Sequence, residues 1–135
     1  EQAAYDLLSG HLSPVVDAIA GSVTVGRRLL WGNAAASIAA VLRALEGAPG
    51  ADRAAVRGRG GALLDQAQPW LAGLGSFEVV AEGGRDGWYW TRTNCCLYDR
   101  CEGAERCDDC SLTPATELEA ARRSELVAAG SGVAS

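Results

Sequence analysis

The chain has 135 residues, 48% of them hydrophobic, which is enough to bury the core of one domain. Its formal net charge of −5 speaks against a nucleic-acid partner, because such a protein needs a basic surface to displace counterions from phosphate. The longest apolar candidate, Leu29 to Leu45, is interrupted by polar residues and glycine, so we expect no membrane-spanning helix. Residues 1–8 lack the basic flank and apolar segment of a signal peptide, and we therefore expect a cytoplasmic location.

The first part of the chain predicts two helices separated by a short connection. Ser13 is a candidate N-cap and Pro14 suits the first helical position, which predicts a short helix to about Ala20. Apolar residues at helical spacing predict a longer second helix over Arg27 to Glu46. Gly47 follows it as the expected C-cap.

A third helix is predicted from Asp52 to about Gln66, although its three glycines weaken it. After it, the spacing of the apolar residues changes from that of a helix to that of a strand. Residues 77–82 and 88–93 are rich in β-branched and aromatic residues, and residues 83–87 between them supply turn chemistry. These segments predict a β-hairpin.

Several aromatic and polar side chains are candidates for either the core or a site. Trp88 and Trp90 share one face of the predicted strand and Tyr89 lies on the other, and one of these faces is expected to pack in the core. Trp31 and Asn33 are expected to support the fold, with Asn33 capping its helix.

The predicted fold class is α+β and mostly helical. Helices are followed by the β-hairpin, a cysteine-rich loop and a C-terminal helix. Thr113 and Pro114 open that last helix, which is predicted to run to about Ala128. Residues 129–135 are expected to form a disordered tail.

All five cysteines lie within one short segment, which suits a metal site better than a disulfide framework. Four of them have the spacing Cys95-Cys96, ten residues, Cys107-x-x-Cys110. The chain has a single histidine, His11, which excludes a Rieske centre and disfavours a mixed Cys/His zinc finger. Adjacent cysteines point to opposite faces of an extended chain, so chelation of a single ion by this pair would require a special backbone conformation. Spacing alone leaves an iron-sulfur cluster and a four-cysteine zinc site open.

Two segments of the chain resemble the FhuF-like ferric-siderophore reductases. The first is Arg92-Thr93-Asn94-Cys95-Cys96-Leu97-Tyr98 followed, after the spacer, by Cys107-x-x-Cys110-Ser111-Leu112, which is similar to the family's carboxy-terminal signature. The second is Leu30-Trp31-Gly32-Asn33-Ala34-Ala35-Ala36, which is similar to a Trp-Gly-Asn segment that enters a helix. The likeness runs from about Ser9 to Leu112, and the family's amino-terminal half has no counterpart in the chain.

The resemblance implies a 2Fe-2S cluster with four thiolate ligands, Cys95, Cys96, Cys107 and Cys110. It further implies one domain, residues 1–128, whose cluster is held by the cysteine loop, residues 92–112. The family motif does not use Cys101, which we expect to be a bystander thiol.

The activity implied by the resemblance is one-electron reduction of a ferric siderophore in iron uptake, with release of Fe(II). No acid-base catalytic residue is required for this reaction. The chain has no Gly-rich dinucleotide fingerprint, so electrons are expected from a separate ferredoxin or flavoprotein.

Charges near the cysteines are expected to tune the cluster's potential. Arg92, Arg100 and Arg106 would raise it, because reduction adds negative charge. Five acidic residues of the loop oppose them: Asp99, Glu102, Glu105, Asp108 and Asp109. The acidic balance predicts a low potential.

Two other functions remain open from the sequence. The short chain is compatible with a ferredoxin-like electron carrier or assembly subunit that uses the same cluster without reducing a siderophore. An interaction module held together by a structural zinc ion is the third possibility, since four cysteines can also bind structural zinc.

Overall fold

The computed structural model describes residues 2–67 and 69–131. In this part of the chain the regular elements are α1 (Gln2–Leu7), α2 (Ser13–Ser22), α3 (Arg27–Glu46), α4 (Arg53–Gln66), β1 (Gly75–Glu82), β2 (Arg85–Arg92) and α5 (Ala115–Ser131). The predicted α+β and mostly helical fold is confirmed, with the hairpin, the cysteine loop and a C-terminal helix in the expected order. None of the helices in the described ranges combines the length and apolar character needed to cross a bilayer.

The hairpin is the middle layer of the structure. On one face Trp88 stacks on Phe77 with ring centroids 3.6 Å apart, and Trp90 joins the main core with residues of α3 and α4. On the other face Tyr89 and Val80 pack against Leu126 of α5. The two tryptophans therefore share a face opposite Tyr89, as predicted, but both faces of β2 are buried here where one was expected, because α5 covers the second face.

The connection between the strands is shorter than predicted. Glu82 pairs directly with Arg85, so a two-residue turn replaces the predicted turn over residues 83–87. Gly83 and Gly84 both have positive φ, 58° and 76°, which is the conformation that two-residue hairpins favour and that residues with a Cβ rarely adopt. The second strand accordingly begins at Arg85 and ends at Arg92.

The predicted start of the first helix at Ser13 is wrong. Ser13 has helical backbone angles, and its N–H donates to the carbonyl of Leu8 within a π-helical turn, Leu8–Leu12. This turn joins α1 to α2, so the helical segment begins at Gln2 and continues past Ala20 to Ser22. Leu8 is buried in the main core, and this tertiary contact stabilises helix ahead of the expected cap.

The bounds of the two central helices agree with the prediction. α3 spans the predicted residues and ends at its C-cap Gly47, whose N–H donates to the Arg43 carbonyl. α4 begins after Asp52, whose side chain accepts a hydrogen bond from the Ala55 N–H at 3.0 Å. The helix is continuous despite its glycines.

The last helix is longer than predicted. α5 begins after Pro114 and ends at Ser131, three residues beyond the predicted end at Ala128. Arg122 joins it to the hairpin by donating to the Trp90 carbonyl and to Thr91 Oγ1, each at 2.8 Å. The rest of the predicted tail, residues 132–135, lies outside the described residues.

Candidate metal centre

The cysteine loop brings two of the four predicted ligands into contact. The Sγ atoms of Cys96 and Cys107 lie 3.3 Å apart. Cys95 and Cys110 lie beside them in sequence, Cys110 being buried, whereas Cys101 is exposed. In the part of the chain that is described, no three His, Cys, Asp or Glu side chains are grouped so that they could hold one metal ion.

The residue after the adjacent pair has an unusual backbone conformation. Leu97 has φ of 67°, the one positive φ among the described residues other than glycine. Its N–H donates to Cys95 Sγ at 3.2 Å, and the Tyr98 N–H donates to Cys96 Sγ at 3.4 Å. Both sulfurs of the pair therefore receive backbone hydrogen bonds that favour the thiolate form.

The second pair has a similar but separate arrangement. The Cys110 N–H donates to the Cys107 carbonyl at 3.2 Å, which closes the turn between the two cysteines. The Leu112 N–H donates to Cys110 Sγ at 3.4 Å. Three of the four candidate ligands thus accept an N–H bond from the residue two positions further along the chain.

The contacting thiols, Cys96 and Cys107, titrate as a pair. Burial and the hydrogen bond to Cys96 raise the pKa of Cys107 to about 11. The pKa of Cys96 is lowered: burial opposes this shift, but the Tyr98 N–H, the Cys107 thiol and the charge of Arg92 outweigh it. Two thiolates at this distance would repel each other, which disfavours ionisation of both sulfurs. A cation bound between the sulfurs would remove this repulsion, since metals bind deprotonated cysteine.

The pKa of Cys95 is shifted in the opposite direction to that of Cys96. The Leu97 N–H lowers it, but burial and the neighbouring Asp99 carboxylate together raise the pKa of Cys95 above its usual value. The Cys95 thiol donates to Asp99 Oδ1 at 3.3 Å. Asp99 therefore opposes thiolate formation at this ligand.

Arg92 is the candidate tuning residue that lies within the site. It is 8% exposed, and it donates from Nε to Asp109 Oδ2 and from Nη1 to Asn33 Oδ1, both at 3.0 Å. Its backbone N–H also donates to the Asp109 carbonyl at 3.2 Å. Arg100 and Arg106 are exposed. Asp109, expected to oppose the arginines, is instead paired with one of them.

The predicted capping role of Asn33 is wrong. Asn33 lies inside α3, where the helix supplies its own backbone partners, and its side chain accepts the hydrogen bond from Arg92. Its neighbour Gly32 faces the loop. A Cβ atom at Gly32 would lie 2.2 Å from Oδ1 of Asn94, the residue before Cys95.

Sequence reasoning missed the supporting roles of Gly32, Asn94 and Asp109. The available signal was position, because Gly32 and Asn94 belong to the two segments that carry the family resemblance. Asp109 lies between the last two cysteines, so a hydrogen bond to its side chain restrains the turn that holds them. These positions do not reveal that Gly32 faces Asn94 or that Asp109 binds Arg92, because the contacting residues are far apart in sequence.

The donor set suits a thiolate-bound metal. Iron-sulfur clusters are held by cysteine thiolates, and N–H donors to sulfur are among the features that set their potentials. Four cysteines in one short loop, three of them with N–H donors and two in contact, provide such a set. The same thiols would also suit zinc.

Comparison with known proteins identifies the family. A family model described as ferric iron reductase FhuF-like transporter matches residues 1–74, more than half of the chain. The matched residues include α3 and end before the hairpin, so the ligand role of the cysteines remains a prediction. No curated protein and no solved structure matches the chain. The family expected from the sequence is confirmed: this chain belongs to the FhuF-like ferric iron reductase family.

Proposed function

We propose that the chain binds a 2Fe-2S cluster and passes one electron from it to a ferric siderophore, releasing Fe(II). The ligands in this proposal are Cys95, Cys96, Cys107 and Cys110. The observation that carries it is the contact between Cys96 and Cys107, which joins the two cysteine pairs in a member of a ferric iron reductase family. The bound cluster would supply a one-electron redox couple.

The chain's own residues would hold this cofactor and set its surroundings. Backbone N–H groups of Leu97, Tyr98 and Leu112 stabilise negative charge on three ligand sulfurs. Burial of Cys110 keeps water from one end of the site. The guanidinium of Arg92 places a fixed positive charge beside the central thiols, which favours the more negative, reduced state.

The substrate would approach the exposed side of the loop. Tyr98 and Leu112 are 56% and 49% exposed, and each follows a candidate ligand whose sulfur its own N–H contacts. Apolar groups beside the ligands therefore line the outer surface of the site. The electron reduces Fe(III) of the siderophore to Fe(II), and no proton transfer by the chain is required. A ferredoxin or flavoprotein would return the electron.

The proposal is tested by rapid mixing of the dithionite-reduced protein with a ferric hydroxamate, followed by visible absorbance and a ferrous chelator. We expect reoxidation with about one Fe(II) formed per electron lost, since a 2Fe-2S centre is a one-electron couple. Cys107→Ser is the matched control and should give no Fe(II). Reoxidation only after a protein acceptor is added would contradict siderophore reduction and favour the electron-carrier alternative.

A further inference from the structure

Two adjacent residues of α3 contact the two halves of the cysteine loop. Gly32 faces Asn94, which precedes the first cysteine pair. Asn33 accepts a hydrogen bond from Arg92, which in turn binds Asp109 inside the second pair. One turn of one helix therefore supports both pairs.

The contact at Gly32 depends on the absence of a side chain. A Cβ atom there would lie 2.2 Å from Oδ1 and 2.4 Å from Nδ2 of Asn94, far inside van der Waals contact. Asn94 is held in this space by donating from Nδ2 to the Arg28 carbonyl at 3.4 Å. Among the described residues no group donates to its buried Oδ1, and an unpaired buried acceptor is unfavourable for stability.

The contact at Asn33 fixes a guanidinium that reaches the second pair. Arg92 uses two nitrogens of its planar fork, Nη1 toward Asn33 and Nε toward Asp109. Since Asp109 lies in the turn closed by the Cys110 N–H and the Cys107 carbonyl, orienting Arg92 also orients that turn.

We propose that Gly32 and Asn33 are positioning residues that bring Cys96 and Cys107 into contact before any metal is bound. Gly32 places the first pair through Asn94, and Asn33 places the second through Arg92 and Asp109. This inference rests on the proposed function only in naming a 2Fe-2S cluster as the group that the thiols bind. The positions of the two thiols do not depend on which metal group they bind.

The test measures the proximity of the two thiols in the full-length, metal-free chain. Cys95, Cys101 and Cys110 are replaced by serine, so that a bifunctional thiol reagent such as dibromobimane can crosslink only Cys96 to Cys107. We expect Asn33→Ala to slow crosslinking about tenfold, because it removes the charge-assisted hydrogen bond from Arg92. Gly32→Ala should slow crosslinking by a similar factor, because the added Cβ displaces Asn94. Unchanged rates in folded variants would overturn the proposal.

Matched controls separate positioning from general destabilisation. Gly58→Ala makes the same chemical change in α4, where no atom of the described residues outside the helix backbone lies within 4 Å of the added Cβ, and it should leave the crosslinking rate unchanged. Asn33→Asp keeps an oxygen acceptor for Arg92 and should restore much of the rate lost in Asn33→Ala. Far-UV circular dichroism and thermal unfolding establish that each variant is folded.

A second variant keeps the Gly32 contact testable if Gly32→Ala does not fold. Asn94→Ala removes the same contact from the loop side without adding volume to α3, and it should slow crosslinking to a similar extent. In this background, Gly32→Ala should have little further effect, because the atoms it displaces are gone. Fully additive effects, or a normal rate in Asn94→Ala, would overturn the role of Gly32.

The metal-loaded protein gives an independent measurement. If the cluster is present, Gly32→Ala and Asn33→Ala should alter its visible circular dichroism and EPR signature, whereas Gly58→Ala should not. Failure of the unmodified chain to bind iron would contradict the proposed function, while the crosslinking rates would still decide whether α3 positions the thiols.

Discussion

Arg92 binds Asp109 twice, by its backbone N–H to the Asp109 carbonyl at 3.2 Å and by Nε to Oδ2 at 3.0 Å. The strand end is thereby joined to the turn between the last two cysteines. A charged side chain with this burial and these partners has a fixed position relative to the thiols, which makes its electrostatic effect predictable.

We expect Arg92→Gln to lower the midpoint potential of the bound cluster. Reduction adds negative charge, and the substitution removes a cation together with the Nε donor to the Asp109 carboxylate. A loss of about 0.5–1 kcal/mol corresponds to a shift of about 20–45 mV for a one-electron couple. A redox titration monitored by EPR measures the shift.

Arg100→Gln and Arg106→Gln are the controls for this prediction. Both side chains are exposed, so salt screens their charges and the potential should change less. An unchanged or higher potential in Arg92→Gln with an intact cluster would refute the tuning role of Arg92.

The ligand set predicts a clear division among the cysteines. Serine at Cys95, Cys96, Cys107 or Cys110 should abolish or strongly perturb the cluster's absorbance and EPR signal, because each removes a thiolate. Cys101→Ser should retain both signals, since Cys101 is exposed and outside the motif. Loss of the cluster in Cys101→Ser alone would change the ligand assignment.

A buried carboxylate between α3 and α4 should contribute strongly to stability. Glu46 is 5% exposed and accepts hydrogen bonds at 2.6 Å from both Arg53 and Arg57. Glu46→Gln should lower the free energy of unfolding by about 1.5–3 kcal/mol, the usual value of hydrogen bonds to charged groups. Urea unfolding measures this change.

The control for Glu46 is a carboxylate on the surface of α5. Glu119 pairs with Arg123 at 2.7 Å, but both side chains are about half exposed. Glu119→Gln should change the free energy of unfolding by less than about 0.5 kcal/mol. Equal effects of the two substitutions would contradict the importance of burial at Glu46.

Asp86 should make stability depend on pH at the acidic end. The hydrogen bond from Arg57 lowers the pKa of Asp86, burial partly opposes this shift, and Arg53 adds to it. A lowered pKa in the folded state stabilises the fold above the unfolded value of about 3.9, and this contribution is lost as pH falls through the folded pKa.

The measurement for Asp86 is thermal unfolding of the unmodified chain and of Asp86→Asn between neutral and acidic pH. The difference in melting temperature should be full above about pH 5 and should shrink below about pH 4. A difference that stays constant through this range would show that the Asp86 charge does not carry the effect.

Local patterns predicted the central helices because their ends have local causes. Asp52 caps α4 with its own side chain, and Gly47 ends α3, so both boundaries are visible in the sequence. The helical segment before Ser13 was missed because burial of Leu8 in the core stabilises it, and that contact is made with distant residues.

The candidate site also combines features that the local sequence predicts with features that depend on distant contacts. The spacing of the cysteines and the family motif together predict the four candidate ligands, whereas nothing in the sequence predicts the positive φ of Leu97. The partner of Asn33 could not be identified, because Asn33 and Arg92 are 59 positions apart and only the packing of α3 against β2 brings them together. Local sequence alone therefore predicts a helix cap at Asn33, where the structure has an acceptor for Arg92.

Metal analysis of an anaerobic preparation decides whether the four cysteines bind a 2Fe-2S cluster. Iron, zinc and acid-labile sulfide are measured on the same sample, with an EPR spectrum after reduction. We expect about two irons and two sulfides per chain and the signal of a reduced 2Fe-2S centre. Stoichiometric zinc without iron, in a colourless protein, would contradict this expectation.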